Sequence, residues 1–363
     1  MKKLMLTTAL AGLVVTGSAM AQTTITGELR LNYKAASSDS IAGVDNTNAN
    51  SGFGNEQQIN FATKGKLNVG GLDYAAGFSI ENDGVQASTL FNENVYMDIT
   101  NPGSGTTLSI GLDHIQRSDS DRSAAVFFGF TPNDLSSGIN KTRFNQNLGP
   151  AVSQALGAAI LQKTPIGTLS YNYVPTTANA YASTPTTGSG SSESFASADQ
   201  ESGYEYGFTG DFGVKGLSTY YFKAAAKEEE GATSKAESKS WGVAYNMGQI
   251  SLGYADKKYN LGISSPTAAG VAATSSTGLS TGKEFKEKHY GIGYAVNNNI
   301  SIAAIYAKAD VQDTTVTQKV KGVQVGYALG PVNLTAGYAQ NTDMDGNAGR
   351  DSNIGMLRLI GNF

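Results

Sequence analysis

The chain has 363 residues, with no cysteine, 44 glycines, 18 tyrosines, only 8 prolines, and 26 basic against 30 acidic side chains. A formal charge of −4 offers no basic excess for nucleic acid. The lack of cysteine leaves backbone pairing and burial to hold the fold. This composition favours strands and turns over helices. The mean hydropathy of −0.23 does not exclude a membrane, because a barrel strand alternates lipid-facing apolar and lumen-facing polar residues and the average cancels.

Residues 1–21 read as a secretory leader. Lys2 and Lys3 form a basic start, an apolar run follows over 4–15, and Ala19-Met20-Ala21 has the small-x-small cleavage pattern. The apolar run is too short to span a bilayer as a helix. Cleavage after Ala21 leaves residues 22–363, or 363 − 21 = 342 residues, with 24 basic and 30 acidic groups and a charge of −6. Beyond the leader no segment has the 18 or more consecutive apolar residues of a spanning helix. A β-barrel is the remaining way to cross a membrane.

Period-two segments of about ten residues then recur, separated by connections that alternate between long and short. In the first, over 23–34, Ile25, Leu29, Leu31 and Tyr33 share one face, and Glu28, Arg30, Asn32 and Lys34 the other. Ile59, Phe61 and Leu67 mark the second, with Asn60, Lys64 and Lys66 opposite, and Asn68-Val69-Gly70-Gly71 turns into Tyr74, Phe78 and Ile80. Phe91, Val95, Met97 and Ile99 continue the rhythm, followed by Leu108, Ile110 and Leu112. After a long insertion come 156–162, then Leu169, Tyr171 and Tyr173, then Tyr204, Tyr206 and Phe208. Tyr220 and Phe222 mark the ninth strand, and Trp241, Val243 and Tyr245 the tenth. Ile250, Leu252 and Tyr254 mark the eleventh. Tyr290, Ile292 and Tyr294 are followed by Ile300, Ile302 and Tyr306 beyond Asn297-Asn298-Asn299. Val323, Val325 and Tyr327 turn at Gly330-Pro331 into Val332, Leu334, Ala336 and Tyr338, and the last strand ends at Phe363. The sum is sixteen strands, with fourteen or eighteen as alternatives: an all-β, antiparallel transmembrane barrel in a single domain over 22–363. Tyrosines near strand ends fit aromatic girdles at the two membrane interfaces.

The terminal strand, with Gly355, Leu357, Leu359, Gly361 and Phe363 in alternation, resembles the C-terminal strand of bacterial outer-membrane proteins. That resemblance implies that Phe363 is the signal read by the barrel-assembly machinery. With sixteen strands in hand, the chain resembles the general porin superfamily along its whole length after the leader. The resemblance implies a homotrimer in outer-membrane lipid of a Gram-negative bacterium, passing small hydrophilic solutes and ions, with no cofactor. In porins the third long loop folds into the lumen, and here the third is the longest, at residues 114–154. It carries Arg117, Asp119, Asp121, Arg122, Asp134, Lys141 and Arg143, and an apolar patch over 124–130. A loop lying in water has little use for such a patch, although a clamp on a neighbouring subunit would also bury it. The resemblance further implies a basic row on the wall facing acidic loop residues. By face, Arg30, Lys64, Lys66 and Arg358 are the wall candidates, and Asp119, Asp121 and Asp134 the acidic ones. The four basic loop residues depart from a purely acidic loop.

Enzymatic barrels need a catalytic constellation. The histidines are His114 and His289; His114 follows Asp113 at the mouth of the long loop, without a Gly-x-Ser-x-Gly elbow. His289, among Lys286, Glu287 and Lys288, reads as a solvated rim residue. Asp343-Met344-Asp345-Gly346 echoes a calcium loop but lacks the Glu at position twelve, and reads as a turn. A diffusion pore is therefore expected, ahead of a substrate-selective channel and of an adhesive barrel. A sugar-selective channel needs an aromatic track in the lumen, whereas most aromatic side chains here fall on the lipid face.

Overall fold

The computed structural model describes residues 22–38, 51–83, 91–112, 130–132, 134–135, 156–174, 202–226, 234–263, 284–311, 315–343, 348–349 and 351–363. Sixteen strands form in chain order. They are β1 (Gln22–Ser38), β2 (Gly52–Lys66), β3 (Asp73–Asp83), β4 (Phe91–Asn101), β5 (Thr106–Leu112), β6 (Leu156–Thr164), β7 (Gly167–Val174) and β8 (Gly203–Gly210). There follow β9 (Leu217–Ala226), β10 (Ser234–Met247), β11 (Ile250–Ile263), β12 (Glu284–Ala295), β13 (Ile300–Val311), β14 (Gln318–Leu329), β15 (Val332–Thr342) and β16 (Ser352–Asn362). Each pairs antiparallel with its chain neighbours, and β1 pairs with β16, which closes the barrel. Closure leaves no edge strand and gives every strand a partner on both sides, as hydrocarbon surroundings require.

The alternation read from the sequence is the alternation of faces. Ile25, Leu29, Leu31, Ile110, Leu169, Ile292, Val323 and Leu359 all point outward and are exposed. In a water-soluble protein such a continuous apolar surface would be an aggregation hazard; around a closed barrel it is a lipid-contacting band. The short connections lie at the opposite end from the long one over 113–155, and side-chain caps shape them. Asn101 Oδ1 accepts the Gly103 N–H at 2.9 Å, Asp211 Oδ1 accepts the Gly213 N–H at 2.9 Å, and Asn297 Oδ1 accepts the Ile300 N–H at 2.9 Å. Gly330, at φ 74, occupies the left-handed region that lets two residues join β14 to β15.

Three readings change. The register between β3 and β4 shifts between Gly77 and Ser79, and Asn94 has φ 50, so a bulge breaks the alternation expected from Phe91 to Ile99. On β9, Tyr220 and Phe222 face inward. They stack with ring centroids 5.8 Å apart and lie over Gly242 and Gly207, where a Cβ would fall 2.4 and 2.2 Å from their rings. His289 is no solvated rim residue. It is buried on the inner face, with Nε2 3.1 Å from Glu287 Oε2, and Lys257 Nζ lies 3.8 Å from that same carboxylate oxygen.

The barrel closes on a specific contact. Gly27 and Phe363 exchange two backbone hydrogen bonds, of 2.8 and 3.0 Å, and the Phe363 ring covers Gly27. A Cβ at Gly27 would lie 2.2 Å from that ring.

Candidate constriction site

The connection between β5 and β6 is the longest in the chain, and residues 130–132 and 134–135 of it are described. They sit on the inner face of β13 to β16, across the barrel from the strands they join. Thr131, Pro132 and Asp134 build a single capped turn. The Thr131 N–H donates to Asp134 Oδ2 at 2.8 Å, the Asp134 N–H donates to Thr131 Oγ1 at 3.2 Å, and the Leu135 N–H donates to the Thr131 carbonyl at 3.1 Å. This is the reciprocal capping-box arrangement, with proline at the first position of the turn, where its missing N–H costs nothing.

The turn presents Phe130 and Leu135 to the wall, both fully buried. They pack among Ile305, Ala307, Ala309, Val320 and Ala339, all inner-face residues of β13 to β15. Small wall residues make room: a Cβ at Gly337 would fall 2.7 Å from the Phe130 ring, and one at Gly322 would fall 3.0 Å from Leu135. Polar wall residues satisfy the turn's backbone. Gln324 accepts the Phe130 N–H at 3.0 Å and donates to the Phe130 carbonyl at 3.2 Å, and Asn341 donates to the Leu135 carbonyl at 3.0 Å. Unpaired, these buried backbone groups would each cost about 1–3 kcal/mol.

One wall candidate meets one loop candidate. Arg358 on β16 donates to Asp134 Oδ1 at 2.9 Å and to Asn32 Oδ1 at 2.8 Å, and its guanidinium lies 4.8 Å from the Phe130 ring centroid. Asp134 thus caps its own turn with one carboxylate oxygen and holds the wall arginine with the other. Arg30 is close by, since Asn32, two positions along β1, lies opposite Arg358. Arg30 does not stand alone. It donates to Glu28 Oε1 at 2.7 Å and forms an ion pair with Glu56, so two acids flank one base on this wall. Lys64 and Lys66 share the inner face but sit at the short-turn end, where Lys66 lies opposite Asp73. From Glu56, opposite Arg30, to Lys64 is eight positions along β2, or about 27 Å at roughly 3.4 Å per residue. The structure therefore gathers Arg30, Arg358 and Asp134 at one level and places Lys64 and Lys66 elsewhere. Arg117, Asp119, Asp121, Arg122, Lys141, Arg143 and His114 lie outside the described residues.

Glu28, Glu56, Asn32, Gln324 and Asn341 were not singled out from the sequence. The period-two pattern puts Glu28 and Asn32 beside Arg30 on one face, but which polar wall residues receive a loop is settled only by barrel closure. The Thr-Pro-Asn-Asp capping pattern at 131–134 was the legible signal for a turn inside the long insertion.

A closed sixteen-stranded barrel with an apolar outer band and a charged, loop-bearing inner wall is a transmembrane pore. Barrels of 16 to 18 strands are wide enough to leave an aqueous channel. The Gram-negative porin family model matches residues 7–357. No curated protein sequence matches the chain. Among solved structures, OmpF of Salmonella typhi in complex with daunomycin is 10% identical. It covers 94% of this chain and 97% of its own, with a TM-score of 0.62. OmpT of Vibrio cholerae is 10% identical over 94% and 98%, with a TM-score of 0.60. A mutant of Rh. blastica porin is 12% identical over 95% and 100%, with a TM-score of 0.57. The chain belongs to the Gram-negative porins. It forms an outer-membrane channel for passive diffusion of small hydrophilic solutes and ions.

Proposed function

We propose that this porin is a general diffusion pore whose bore is narrowed by the β5–β6 connection, and that it works as a homotrimer after loss of residues 1–21. The observation that carries the reading is the burial of Phe130 and Leu135 on the inner face of β13 to β15, locked by the Asp134–Arg358 pair. A loop tied across the lumen at its apolar tip occupies part of the cross-section. The same contact argues against a clamp on a neighbouring subunit, since the patch residue Phe130 is already buried within its own barrel.

Selectivity for one solute class finds less support. Among the described residues, the inward aromatics Tyr220 and Phe222 are nearly buried against wall glycines, and Tyr96 lies apart on β4 over Gly77, so they offer no continuous sliding track for sugar rings. The charges at the loop's level are mixed, with Arg30 and Arg358 against Glu28, Glu56 and Asp134. A mixed polar wall orients solutes and disfavours apolar ones without binding a particular ligand. None of the pore's described residues is asked to do covalent chemistry in this reading.

The deciding experiment is deletion of residues 123–140 with recording in planar bilayers. Single-channel conductance and the size limit for uncharged sugars should both rise. Unchanged conductance in an intact barrel would refute the constriction, and saturable flux for one solute class, lost with the loop, would make the pore selective. Heat-sensitive migration of a trimer on gels tests the assembly state, and a strictly monomeric species in mild detergent would overturn that part.

A further inference from the structure

The outward face carries a second pattern, unrelated to the bore. On β1 to β8, β15 and β16, no described strand position that shares the lipid-facing side is charged. Every outward-facing charged strand position among the described residues lies on β9 to β14. Lysine dominates there, in direct cross-strand register. Lys223 lies opposite Lys239, Lys239 opposite Lys258, and Lys258 opposite Lys286. One step along, Lys288 lies opposite Lys308 and Lys308 opposite Lys319. Like charges directly opposed on one face of a sheet destabilise it. Here the arrangement recurs five times across six adjacent strands, in a chain whose formal charge is −4.

Carboxylates relieve only part of the row. Glu284 pairs with Lys258 and Lys286, Asp256 lies 3.6 Å from Lys288, Asp310 stands opposite Lys286, and Glu237 shares the outer side of β10 with Lys239. Lys308, Lys319 and Lys321, at the β13–β14 end, form no ion pair with a described residue. The row runs just beyond an aromatic line, in which Tyr221 lies opposite Trp241, and Tyr254 opposite Tyr290 opposite Tyr306. Aromatic belts mark headgroup level. The lysines therefore stand at the headgroup layer, at the end bearing the long connections, which faces outward in outer-membrane barrels.

We infer that the β9–β14 lysine row is a docking surface for phosphate-bearing lipid headgroups of the outer leaflet. Anionic headgroups packed along the row would supply the counter-charge that the carboxylates of β10 to β13 leave unmet around Lys308, Lys319 and Lys321, and the flexible lysine stems would reach them from an apolar wall. Confinement to six strands leaves the outer face of β1 to β8, β15 and β16 uncharged and available for contact with other subunits. The lipid surface and the subunit surface then lie on opposite sides of the barrel.

The test uses the full porin in detergent, titrated with lipid A, with bound lipid counted by native mass spectrometry. Each lysine beside an anionic surface contributes about fivefold in affinity, so Lys308→Gln with Lys319→Gln and Lys321→Gln should weaken binding about a hundredfold. The corresponding triple arginine variant should bind like the wild type. A Lys64→Gln/Lys66→Gln variant, changed only on the inner face, should also bind like the wild type. If the triple glutamine variant fails to assemble, Lys308→Gln alone should show the fivefold loss. Equal lipid A binding by wild type and glutamine variants would overturn the inference. So would displacement of lipid A by millimolar inorganic phosphate, which would make the row a small-anion site. A changed oligomeric state in the glutamine variant would instead assign the row to a subunit contact.

Discussion

Phe130→Ala isolates the anchor of the loop from the barrel that receives it. Phe130 is fully buried on the inner wall, beneath Arg358 and above Gly337, so its removal leaves a cavity floored by bare backbone. Truncating a buried phenylalanine costs about 3–5 kcal/mol, and a partly desolvated cation–π contact adds about 1 kcal/mol. Taking about 4 kcal/mol in all, at about 1.4 kcal/mol per tenfold, the docked-to-undocked ratio of the loop falls about a thousandfold. The strand ladder is untouched, so the loss appears in the loop and not in the barrel. The chain contains no cysteine, so Leu135→Cys introduces a single reporter at a fully buried position. Labelling by a water-soluble maleimide should be slow in Leu135→Cys alone and up to about a thousandfold faster when Phe130→Ala is added. Single-channel recordings of Phe130→Ala should show larger or more frequently fluctuating conductance, with the heat stability of the assembled barrel unchanged. Equal labelling rates and equal conductance in the two backgrounds would refute the claim that this side chain holds the loop.

Three further outcomes follow from the same geometry. Gln324→Leu strips both hydrogen bonds from the Phe130 backbone; at about 1–3 kcal/mol for each stranded group it should speed labelling at position 135 on the same scale as Phe130→Ala does. Gly27→Leu drives a side chain into the Phe363 ring, so like Phe363→Ser it should cut the yield of assembled barrel far more than it cuts synthesis. Heat-modifiable gel mobility of membrane fractions checks both. Arg30→Gln removes the cation shared by Glu28 and Glu56 at the loop's level, and reversal potentials should move toward cation preference with little change in sugar size limit. Lys64→Gln alone, about 27 Å away along β2 on the short-turn side, should move them much less. Both shifts should fade at high salt, as the Debye length falls from about 10 Å at 0.1 M to about 3 Å at 1 M.

The barrel was legible in the sequence because a β-strand has a period of two and a lipid environment punishes every departure from it. Ile25, Leu29 and Leu31 must share a face if Glu28, Arg30 and Asn32 are to stay wet, and the same constraint recurs in strand after strand. It even reached the long insertion, whose apolar patch predicted that something would bury Phe130. Tertiary structure alone decided what did so. Gln324, Asn341 and Arg358 lie roughly 190 to 225 positions from the turn they hold, and no local period links residues so far apart. Closure of β1 on β16 brings Arg30, Asn32 and Arg358 together, and the bulge at Asn94 resets the faces of β4 within an otherwise regular pattern. The same holds for His289. Its charged neighbours suggested a rim in water, but the one-residue alternation turns Lys286 and Lys288 outward, and turns Glu287 and His289 inward, where packing buries them. Alternation along a strand is set by backbone geometry and is written in the sequence. Which inward residue meets which is set by register and by the path of the loop through the lumen, and only the closed barrel specifies those.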